Sequence, residues 1–471
     1  MSDQSFRRLS PLTPVVRSFI VVVAAATTIG RDVLRGDMGP AAIALGLVLV
    51  GGAIYGIASW VRTKFWIEAD ELRVDTGVIN RQSRRIRIDR LQGIDIVQPF
   101  VARLFGLAEL RMDVAGGNAR EGSLAFLPLS DARELKDLLL ARRDAVRASA
   151  DDEAGTPDAP ARPIAEPPIP ERQLARVEMR MLLLSILLSP ETIGLVVSGF
   201  ALLSGFLVTG QWVGASAAVP VFFGFGVVLF KRFSGNYNFT VSETPAGLQV
   251  RRGLFDLNSQ TIALKRLQGI VITEPALWRQ FGWARLDVSI AGYASSSDDA
   301  NGPSVSIALP VGDRRLAIWL TSHVLDGVDP DDTALSSPPD RAKWAAPIGR
   351  VFMRAGASDR VVVSREGWLT RRTHVVPHGR IQSLRVTQGP WQRKLGLADV
   401  EMDSPPGPAN ARARHRDAGE ARRIFEREVA VSRACRKALD DAAGTVPARA
   451  TQSGQRVHEP IGGRDDPPEV S

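Results

Sequence analysis

The chain has 471 residues, and 59 Lys and Arg against 51 Asp and Glu give it a formal net charge of +8. A chain of this length is expected to form several domains. Its one cysteine, Cys435, excludes an intrachain disulfide framework and a zinc site made of cysteines. Hydrophobic residues make up 45% of the chain and are concentrated in a few blocks, which predicts apolar segments that alternate with polar domains.

Two apolar blocks lie close together within residues 11–60, after a short segment, residues 1–10, that we expect to be cytoplasmic. Each block approaches the roughly 20 residues that a helix needs to cross a bilayer core. Their connection is short, so we predict a transmembrane hairpin; the alternative is a pair of buried helices in a soluble protein. Basic residues flank the pair and place both of its ends in the cytoplasm by the positive-inside rule. They are Arg7, Arg8, Arg17, Arg62 and Lys64.

A second pair of apolar blocks lies within residues 172–230, with its longest stretches at Ile193–Val208 and Val213–Phe230. The run MLLLSILLS at 181–189 precedes them, and we interpret it as an interfacial segment. Basic residues again flank the pair, which predicts a second hairpin of the same orientation. The sequence therefore predicts a multi-pass protein of the bacterial inner (cell) membrane, with both termini and all large polar regions in the cytoplasm.

A motif that begins Arg-aliphatic-Gln occurs three times without gaps. The copies read RLQGIDIVQPFVARLFGLAELRM, RLQGIVITEPALWRQFGWARLDV and RIQSLRVTQGPWQRKLGLADVEM. Shared positions are offset by 176 residues between the first two copies and by 114 between the last two, so the chain contains one unit three times. The recurring residues are Arg90, Gln92, Arg103 and Gly106 in the first copy, Arg266, Gln268, Arg279 and Gly282 in the second, and Arg380, Gln382, Arg393 and Gly396 in the third.

The three copies share one order of predicted elements. An extended stretch with a polar turn predicts a hairpin, and the alternating apolar run after the motif start predicts a half-buried strand. A short apolar stretch ends at the recurring glycine, which predicts a helical turn closed by a residue with positive φ. Another strand and an amphipathic closing helix follow, so each unit is α+β.

Composition separates the units. We place them at residues 61–146 (unit 1), 231–326 (unit 2) and 342–442 (unit 3). A stretch rich in Ala, Asp and Pro at 147–171 predicts a disordered linker, and the acidic, Pro-containing residues 327–341 predict a shorter linker. The polar residues 443–471 are expected to form a disordered tail.

In this chain, predicted hairpins alternate with units that contain Arg-[Leu/Ile]-Gln and end in a helix. The chain thereby resembles the bacterial pleckstrin-homology-like (PH-like) membrane proteins of the YdbS/YdbT-like type. The resemblance covers about residues 10–145 and 172–441, and it implies a bent β-sheet or barrel with a C-terminal helix for each unit. The predicted fold class is thus four transmembrane helices in two hairpins plus three α+β PH-like units. The third copy departs from the motif, since Gly93 and Gly269 become Ser383, and Pro99 and Pro275 become Gly389 followed by Pro390.

Patterns that carry catalysis or bind cofactors are not found in the sequence. His374 and His378 correspond to Arg84 and Ile88 of unit 1, which argues against a metal pair in a repeated unit and favours surface histidines. The loop GGNAREG at 116–122 lacks the Lys-Ser of a phosphate loop. We therefore expect no catalytic, cofactor or metal site, and a protein that is not an enzyme.

The recurring Arg and Gln positions have two interpretations. They form a ligand or partner surface that is used three times, or their side chains make hydrogen bonds to the backbone that hold the fold together. We favour the structural reading, because residues common to all copies are those that the fold requires. A separate set of arginines is interpreted as a contact for anionic lipid headgroups, with solubility and strand pairing as an equal alternative. It comprises Arg81, Arg84, Arg85, Arg87, Arg371 and Arg372.

These features favour a membrane-anchored scaffold whose cytoplasmic units bind a protein partner or one another. Pairing between units, or an oligomer, would give exposed strand edges a partner. The alternative is an anionic-lipid-sensing or transport-accessory protein that acts through basic patches. The expected partners are membrane lipids and an unidentified protein or a second copy; nucleic acid is not expected, because the basic residues lack interleaved aromatics.

Overall fold

The computed structural model describes residues 7–8, 51, 58, 62–68, 71–76, 82–114, 123–152, 172–209, 213–244, 247–290, 305–405 and 407–443. Over these ranges the chain forms four antiparallel sheets and nine α-helices. Arg81 and most of the predicted first hairpin, disordered linker and C-terminal tail lie outside the described residues.

Unit 1 consists of two small sheets and a closing helix. Its strands are β1 (Arg7–Arg8), β2 (Lys64–Glu68), β3 (Glu71–Thr76), β4 (Gln82–Arg87), β5 (Leu91–Gln98), β6 (Leu107–Val114) and β7 (Ser123–Pro128). Helix α1 (Phe100–Leu104) follows β5, and α2 (Leu129–Asp152) closes the unit. Apolar residues that alternate along the strands, such as Leu72 and Ile94, meet Leu135 and Leu139 of α2 in one core.

Unit 2 repeats this plan and adds elements before it. The added elements are β8 (Arg172–Arg176), α3 (Met179–Leu187), α4 (Pro190–Thr209) and α5 (Val213–Asn236). The repeated ones are β9 (Thr240–Thr244), β10 (Gly247–Arg252), β11 (Leu257–Ile262), β12 (Leu267–Pro275), α6 (Ala276–Gln280), β13 (Trp283–Ile290), β14 (Val305–Asp313) and α7 (Arg314–Val324).

Unit 3 has the same order of strands and helices. They are β15 (Arg354–Ala357), β16 (Val361–Glu366), β17 (Thr370–Pro377), β18 (Ser383–Thr387), α8 (Pro390–Lys394), β19 (Leu397–Asp403), β20 (Ala411–Asp417) and α9 (Ala418–Ala443). Short 3-10 turns at Ile88–Arg90, Leu264–Arg266 and His378–Arg380 lead from the first sheet of a unit to its second sheet, and two more lie at Asp340–Trp344 and Gly349–Phe352.

Strand pairing joins each unit to the next. β5 pairs with β11, which gives a seven-stranded sheet in the order β7-β6-β5-β11-β10-β9-β8. β12 pairs with β17, which gives a six-stranded sheet in the order β14-β13-β12-β17-β16-β15. The sheet β1-β2-β3-β4 and the sheet β18-β19-β20 stand at the two ends. The three units therefore form one series, held by backbone hydrogen bonds between consecutive units.

The recurring glycine has the same conformation in every unit. Gly106, Gly282 and Gly396 have φ values of +67°, +68° and +63°, which confirms the predicted positive φ. Each carbonyl oxygen accepts a hydrogen bond from the first backbone N–H of the closing helix, at 3.1, 2.7 and 2.9 Å respectively. A helix leaves its first N–H groups without intrahelical partners, so the glycine both turns the chain and fixes where the closing helix begins.

The fold class predicted from the sequence, with four membrane-spanning helices, is wrong. Among the described residues no single helix is long and apolar enough to cross a membrane, and only α3 taken together with Pro190–Ala201 reaches that length and hydropathy, as a pair bent by 47°. The chain bends there because Pro190 has no N–H with which to continue the hydrogen bonding of α3.

The segment before this bend, interpreted as interfacial, is part of unit 2. Leu182 and Ile186 of α3 are buried in the core of that unit. Trp278 of α6 is 2% exposed and donates through Nε1 to the carbonyl oxygen of Ser185 at 3.1 Å. One face of α3 therefore packs against unit 2, whereas Leu183, Leu184 and Leu187 are 48%, 47% and 59% exposed, and the interfacial interpretation of this segment stays a prediction.

Both predicted linkers contain regular contacts. Helix α2 continues to Asp152, into the range predicted as disordered. In the second linker, Asp331 binds Arg314 of unit 2 at 2.7 Å and Arg365 of unit 3 at 2.8 Å. Burial opposes ionisation of this carboxyl, but the hydrogen bonds from the two arginines outweigh it and lower the pKa of Asp331 below its usual range.

A buried arginine fixes the rest of the second linker. Arg416 is 1% exposed and donates to the carbonyl oxygens of Ser336 at 2.7 Å and Ala355 at 3.2 Å. Burial lowers the pKa of this guanidinium, and the carbonyl oxygens compensate for the lost water. The segment 327–341 is thus packed against unit 3.

The joints between units as a candidate functional site

Joint 1 is the antiparallel pairing of β5 with β11. We call β5 the docking strand and β11 the receiving strand of this joint. The paired residues are Ile96 with Ser259, Val97 with Asn258 and Gln98 with Leu257. Next to them, Asp95 accepts a hydrogen bond from the backbone N–H of Thr261 at 3.1 Å. Backbone pairing and one carboxylate of the docking strand thus hold unit 1 to unit 2.

Joint 2 has the same register as joint 1. Its docking strand is β12 and its receiving strand is β17, with six residue pairs from Ile270–Val375 to Pro275–Thr370. The pair Ile272–Thr373 occupies the positions that Ile96 and Ser259 occupy in joint 1, by the repeat offsets of 176 and 114 residues. The same interface is therefore built twice from different residues.

The recurring arginine after the docking strand binds the next unit. Arg103 donates through Nη1 to the carbonyl oxygen of Leu254 at 3.0 Å, and Arg279 donates through Nη2 to that of Trp368 at 2.8 Å. The two acceptors are themselves equivalent, 114 residues apart. The sequence favoured carbonyl bonds inside a unit; the structure directs these bonds across the joint.

A backbone N–H at the start of the following short helix makes a further contact across each joint. Phe100 N–H donates to Asp256 Oδ1 at 2.8 Å, and Ala276 N–H donates to the carbonyl oxygen of Leu369 at 2.7 Å. In joint 1 the rings of Phe100 and Phe255 also meet edge to face, with centroids 5.1 Å apart. The short helix therefore docks on the hairpin that precedes the receiving strand.

Joint 2 contains a buried carboxylate with two arginines. Glu274 is 2% exposed. It accepts hydrogen bonds from Arg371 of unit 3 at 2.7 and 2.8 Å and from Arg314 of unit 2 at 3.1 Å. Opposite charges with bidentate geometry replace the water that the carboxylate loses on burial. This cluster links the closing helix of unit 2 to the receiving strand of unit 3.

A basic cleft of about 980 Å³ adjoins joint 1, between α2 of unit 1 and the first sheet of unit 2. Apolar residues such as Ile94, Ile96 and Leu140 form part of its wall. Of the lining residues among the described ranges, seven are basic and only Asp137 is acidic. The basic ones are Arg133, Lys136, Arg143, Arg251, Arg252, Lys265 and Arg266. Such a surface favours an anionic ligand with an apolar portion.

The unit matches a known domain model three times. The bacterial PH domain model matches residues 18–143, 192–314 and 342–429, which together make up most of the chain. The chain belongs to the bacterial PH domain family. It is also similar to the UPF0699 transmembrane protein YdbT of Bacillus subtilis (strain 168), with 26% identity over 270 residues. That match covers 53% of this chain and 54% of the relative, so the chain spans about half the length of the curated relative it matches.

The arginines predicted to contact lipid headgroups lie in different surroundings. Arg84 and Arg85 are exposed on β4 of the first PH unit, whereas Arg87 pairs with Asp89 at 2.8 Å. Arg371 is bound to Glu274 in joint 2, and the neighbouring Arg372 is exposed. Arg81 lies outside the described residues. The five described residues thus lie in different surroundings, on β4 of unit 1 and on β17 of unit 3.

The Arg and Gln at the start of the repeated motif make different contacts in the three PH units. Gln268 is 6% exposed and donates through Nε2 to the carbonyl oxygen of Arg266 at 3.2 Å, whereas Gln382 is exposed. Arg380 donates to the carbonyl oxygen of Lys265 in the preceding unit at 2.6 Å, while Arg90 is exposed. The side chain of Gln92 lies outside the described residues.

Two acidic residues of the joints, Asp95 and Glu274, were not singled out from the sequence. Each lies within or at the end of the apolar run that follows the Arg-Leu-Gln start, where a charge interrupts a strand pattern. A carboxylate inside such a run requires a partner, because burying it alone is costly. This signal could have identified both residues.

The histidines considered as a metal pair have separate partners. His378 is 1% exposed, and its Nδ1 lies 2.8 Å from Glu428 Oε2. His374 Nδ1 accepts from the N–H of Asn410 at 3.3 Å. In the described ranges no group of three His, Cys, Asp or Glu is arranged to hold a metal ion. Both histidines instead tie strands and helix of the third PH unit together.

Proposed function

We propose that this chain is a membrane-associated scaffold and not an enzyme, in which PH units joined edge to edge present surfaces to a protein partner or to a second copy. The observation that carries the proposal is the shared register of the two joints. Two interfaces with the same strand pairing and the same arginine-to-carbonyl bond fix the orientation of three units relative to one another. A fixed series of binding modules raises the local concentration of whatever they bind.

Membrane association of the scaffold is supported by the relative from Bacillus subtilis, whose name describes it as a transmembrane protein. We place the PH units at the cytoplasmic face of the bacterial inner membrane, since basic residues flank the apolar segments of the chain. The exposed Arg84 and Arg85 belong to the first unit, whose sequence directly follows the first of these segments.

Fractionation of cells that express the full chain tests the membrane claim. We expect the protein in the membrane pellet. Recovery in the supernatant would contradict the proposal. Chemical crosslinking in the same intact membranes should yield species larger than the single chain, as expected of a scaffold that binds protein.

A disulfide across joint 1 tests the series of units in the same membranes. Ile96→Cys and Ser259→Cys, in a Cys435→Ser background, place two cysteines on directly opposed residues, a spacing that a disulfide can span. Oxidation should form the intrachain bond. Ser259→Cys combined with Arg422→Cys, a pair from different units, serves as the matched control and should stay reduced.

A second candidate function, binding of anionic lipid headgroups, is favoured by the basic cleft at joint 1. Its seven cations and apolar wall match a phosphate-bearing headgroup with attached acyl chains. Each basic residue that reaches an anionic leaflet contributes about 1 kcal/mol. The cleft would then orient the series of units relative to the membrane surface.

Vesicle flotation of the purified full chain tests this candidate. Binding to vesicles with phosphatidylglycerol should exceed binding to phosphatidylcholine alone and should weaken with salt. Arg133→Glu with Lys136→Glu, both in the cleft, should reduce it. Arg142→Glu, on the same helix but outside the cleft lining, should have little effect. Equal losses from both variants would argue against the cleft as the binding site.

A further inference from the structure

Among the described residues, the first unit has a receiving strand that no docking strand covers. β4 holds the position that β11 and β17 hold in the joints, and it is the last strand of its sheet among the described residues. In unit 3, Thr373, His374 and Val375 are 3%, 8% and 0% exposed, and all three pair with the docking strand of unit 2. The equivalent residues of β4, at 83–85, are exposed.

At the other end, the docking strand of unit 3 lacks the features that the two joints use. Pro390 replaces Phe100 and Ala276, so the N–H that reaches the next unit is missing. Arg385 replaces the carboxylate of Asp95, and Arg393 is exposed where its counterparts bind a carbonyl oxygen. Proline and charge on an edge strand oppose further pairing.

A second copy of this chain therefore fits β4 poorly. In the register of the two joints, Val386 of one copy would face Ser83 of the other, as Ile272 faces Thr373. The next pair would be Arg385, which lies 3.7 Å from Asp403 of its own unit, against Arg84. Like charges directly opposite each other destabilise an antiparallel pair. The same position holds a carboxylate, Asp95, in joint 1.

We propose that β4 receives, in trans, the docking strand of a PH-like unit that belongs to another protein. That strand carries a carboxylate opposite Arg84, a residue other than proline at the start of the short helix that follows, and an arginine that reaches a carbonyl oxygen of the hairpin before β4. The partner is thus defined by the chemistry of joints 1 and 2. The proposal rests on the scaffold function and names the kind of protein that the scaffold binds.

A copy of this chain with a corrected docking strand is a defined probe for this surface. The probe carries Arg385→Asp and Pro390→Ala, which restore the residues found in joint 1 and joint 2, together with Val386→Cys. The receiver carries Ser83→Cys. Both are full chains in a Cys435→Ser background with different tags, coexpressed and oxidised in intact membranes. We expect a disulfide between the two chains.

Three controls decide the outcome. A probe that keeps Arg385 and Pro390 should crosslink several-fold less. Arg84→Asp in the receiver should reduce the crosslink of the corrected probe to the level of that control, since two carboxylates would then face each other. A receiver with Arg142→Cys in place of Ser83→Cys should remain uncrosslinked. Together these results would assign β4 as a receiving strand selective for a carboxylate.

Two results would overturn the proposal. If the corrected probe does not crosslink, β4 is not a receiving strand. If the uncorrected probe crosslinks equally well, the occupant is a second copy. A lipid role for the edge is the third outcome, in which Arg84→Asp weakens vesicle flotation and no crosslink forms. The intrachain disulfide of joint 1 and the membrane pellet are measured in the same preparations, so failure of the scaffold function is recognised separately.

Discussion

Arg371 binds Glu274 across the second joint through two hydrogen bonds, Nη2 to Oε1 at 2.7 Å and Nε to Oε2 at 2.8 Å. The carboxylate belongs to the docking strand of unit 2 and the guanidinium to the receiving strand of unit 3. Glu274 is 2% exposed, so this pair compensates a buried charge at the contact between two PH units.

Removing the carboxylate of Glu274 should destabilise the second joint. Glu274→Ala leaves Arg371 and Arg314 without their shared acceptor. We expect the free energy of unfolding to fall by about 2–3 kcal/mol. This is at the lower end for a buried pair, because both arginines are partly exposed. Thermal unfolding of the full chain in detergent measures the change. Glu426→Ala removes a carboxylate from an exposed pair with Arg422 and should change stability by less than about 0.5 kcal/mol. Similar effects of both variants would contradict a structural role of the buried cluster.

The arginine-to-carbonyl bond should protect the strands of joint 2 from local opening. Arg279→Ala removes the hydrogen bond to the carbonyl oxygen of Trp368. We expect this to lower the free energy of local opening by about 1 kcal/mol, since one charged donor is lost at an exposed position. Amide hydrogen exchange should then accelerate in β12 and β17. Arg393→Ala changes the equivalent residue of unit 3, which is exposed at the end of the series, and should leave exchange in β18 unchanged. No acceleration in the Arg279 variant would count against the bond as a tie between units.

The recurring glycine should be sensitive to any side chain. Gly282 has φ +68°, and no atom lies within 4 Å of the place that an alanine Cβ would take, so Gly282→Ala costs only backbone conformational energy, about 1–2 kcal/mol. Gly282→Asn should cost less, since asparagine tolerates the left-handed region better. Gly224→Ala, within helix α5 and also without a neighbour within 4 Å, should be neutral or stabilising. Chemical denaturation of the three variants measures the order, and a neutral Gly282→Ala would refute the argument.

Stability of unit 3 should depend on pH through His378. Burial opposes the charged imidazole, but the hydrogen bonds to Glu428 and to the carbonyl oxygen of Ser358 outweigh it and raise the pKa of His378. A raised folded-state pKa gives stability that is fully present below the usual value of about 6.5 and is lost as pH rises through the raised value. Glu428→Gln should therefore flatten this part of the profile of unfolding free energy against pH.

His374 acts in the opposite direction and must be separated from this effect. Burial lowers the pKa of His374, so protonating it in acid disfavours the folded state. The comparison of Glu428→Gln with the unchanged chain isolates His378, because His374 is present in both. His323→Gln, at a partly exposed pair with Glu243, serves as the control and should keep the slope assigned to His378. An unchanged slope in Glu428→Gln would disprove the assignment.

The sequence by itself determined the three-fold repeat, the strand, short helix and strand that follow each motif start, the closing helix and the positive φ of the recurring glycine. It did not predict two further strands of each unit, which are β4 and β7 in unit 1. The predicted features depend on local patterns: alternation along a strand, helical spacing in the closing helix, and the freedom of glycine at Gly106, Gly282 and Gly396. Each copy repeats the same pattern, so agreement between the copies supported predictions of strands and helices that one copy alone would leave open. The departure of the third copy at Pro390 is likewise evident from the aligned repeats alone.

Only the tertiary structure decided how the units meet. Strand pairing uses the backbone N–H and C=O groups that nearly every residue has, so the sequence of β12 does not specify β17 as its neighbour. The direction of Arg279 across the joint and the pairing of Arg371 with Glu274 both follow from that docking. The burial of Leu182 and Ile186 of α3 in unit 2 was also not evident from the apolar run, because a protein core and a membrane both exclude water and select the same residues.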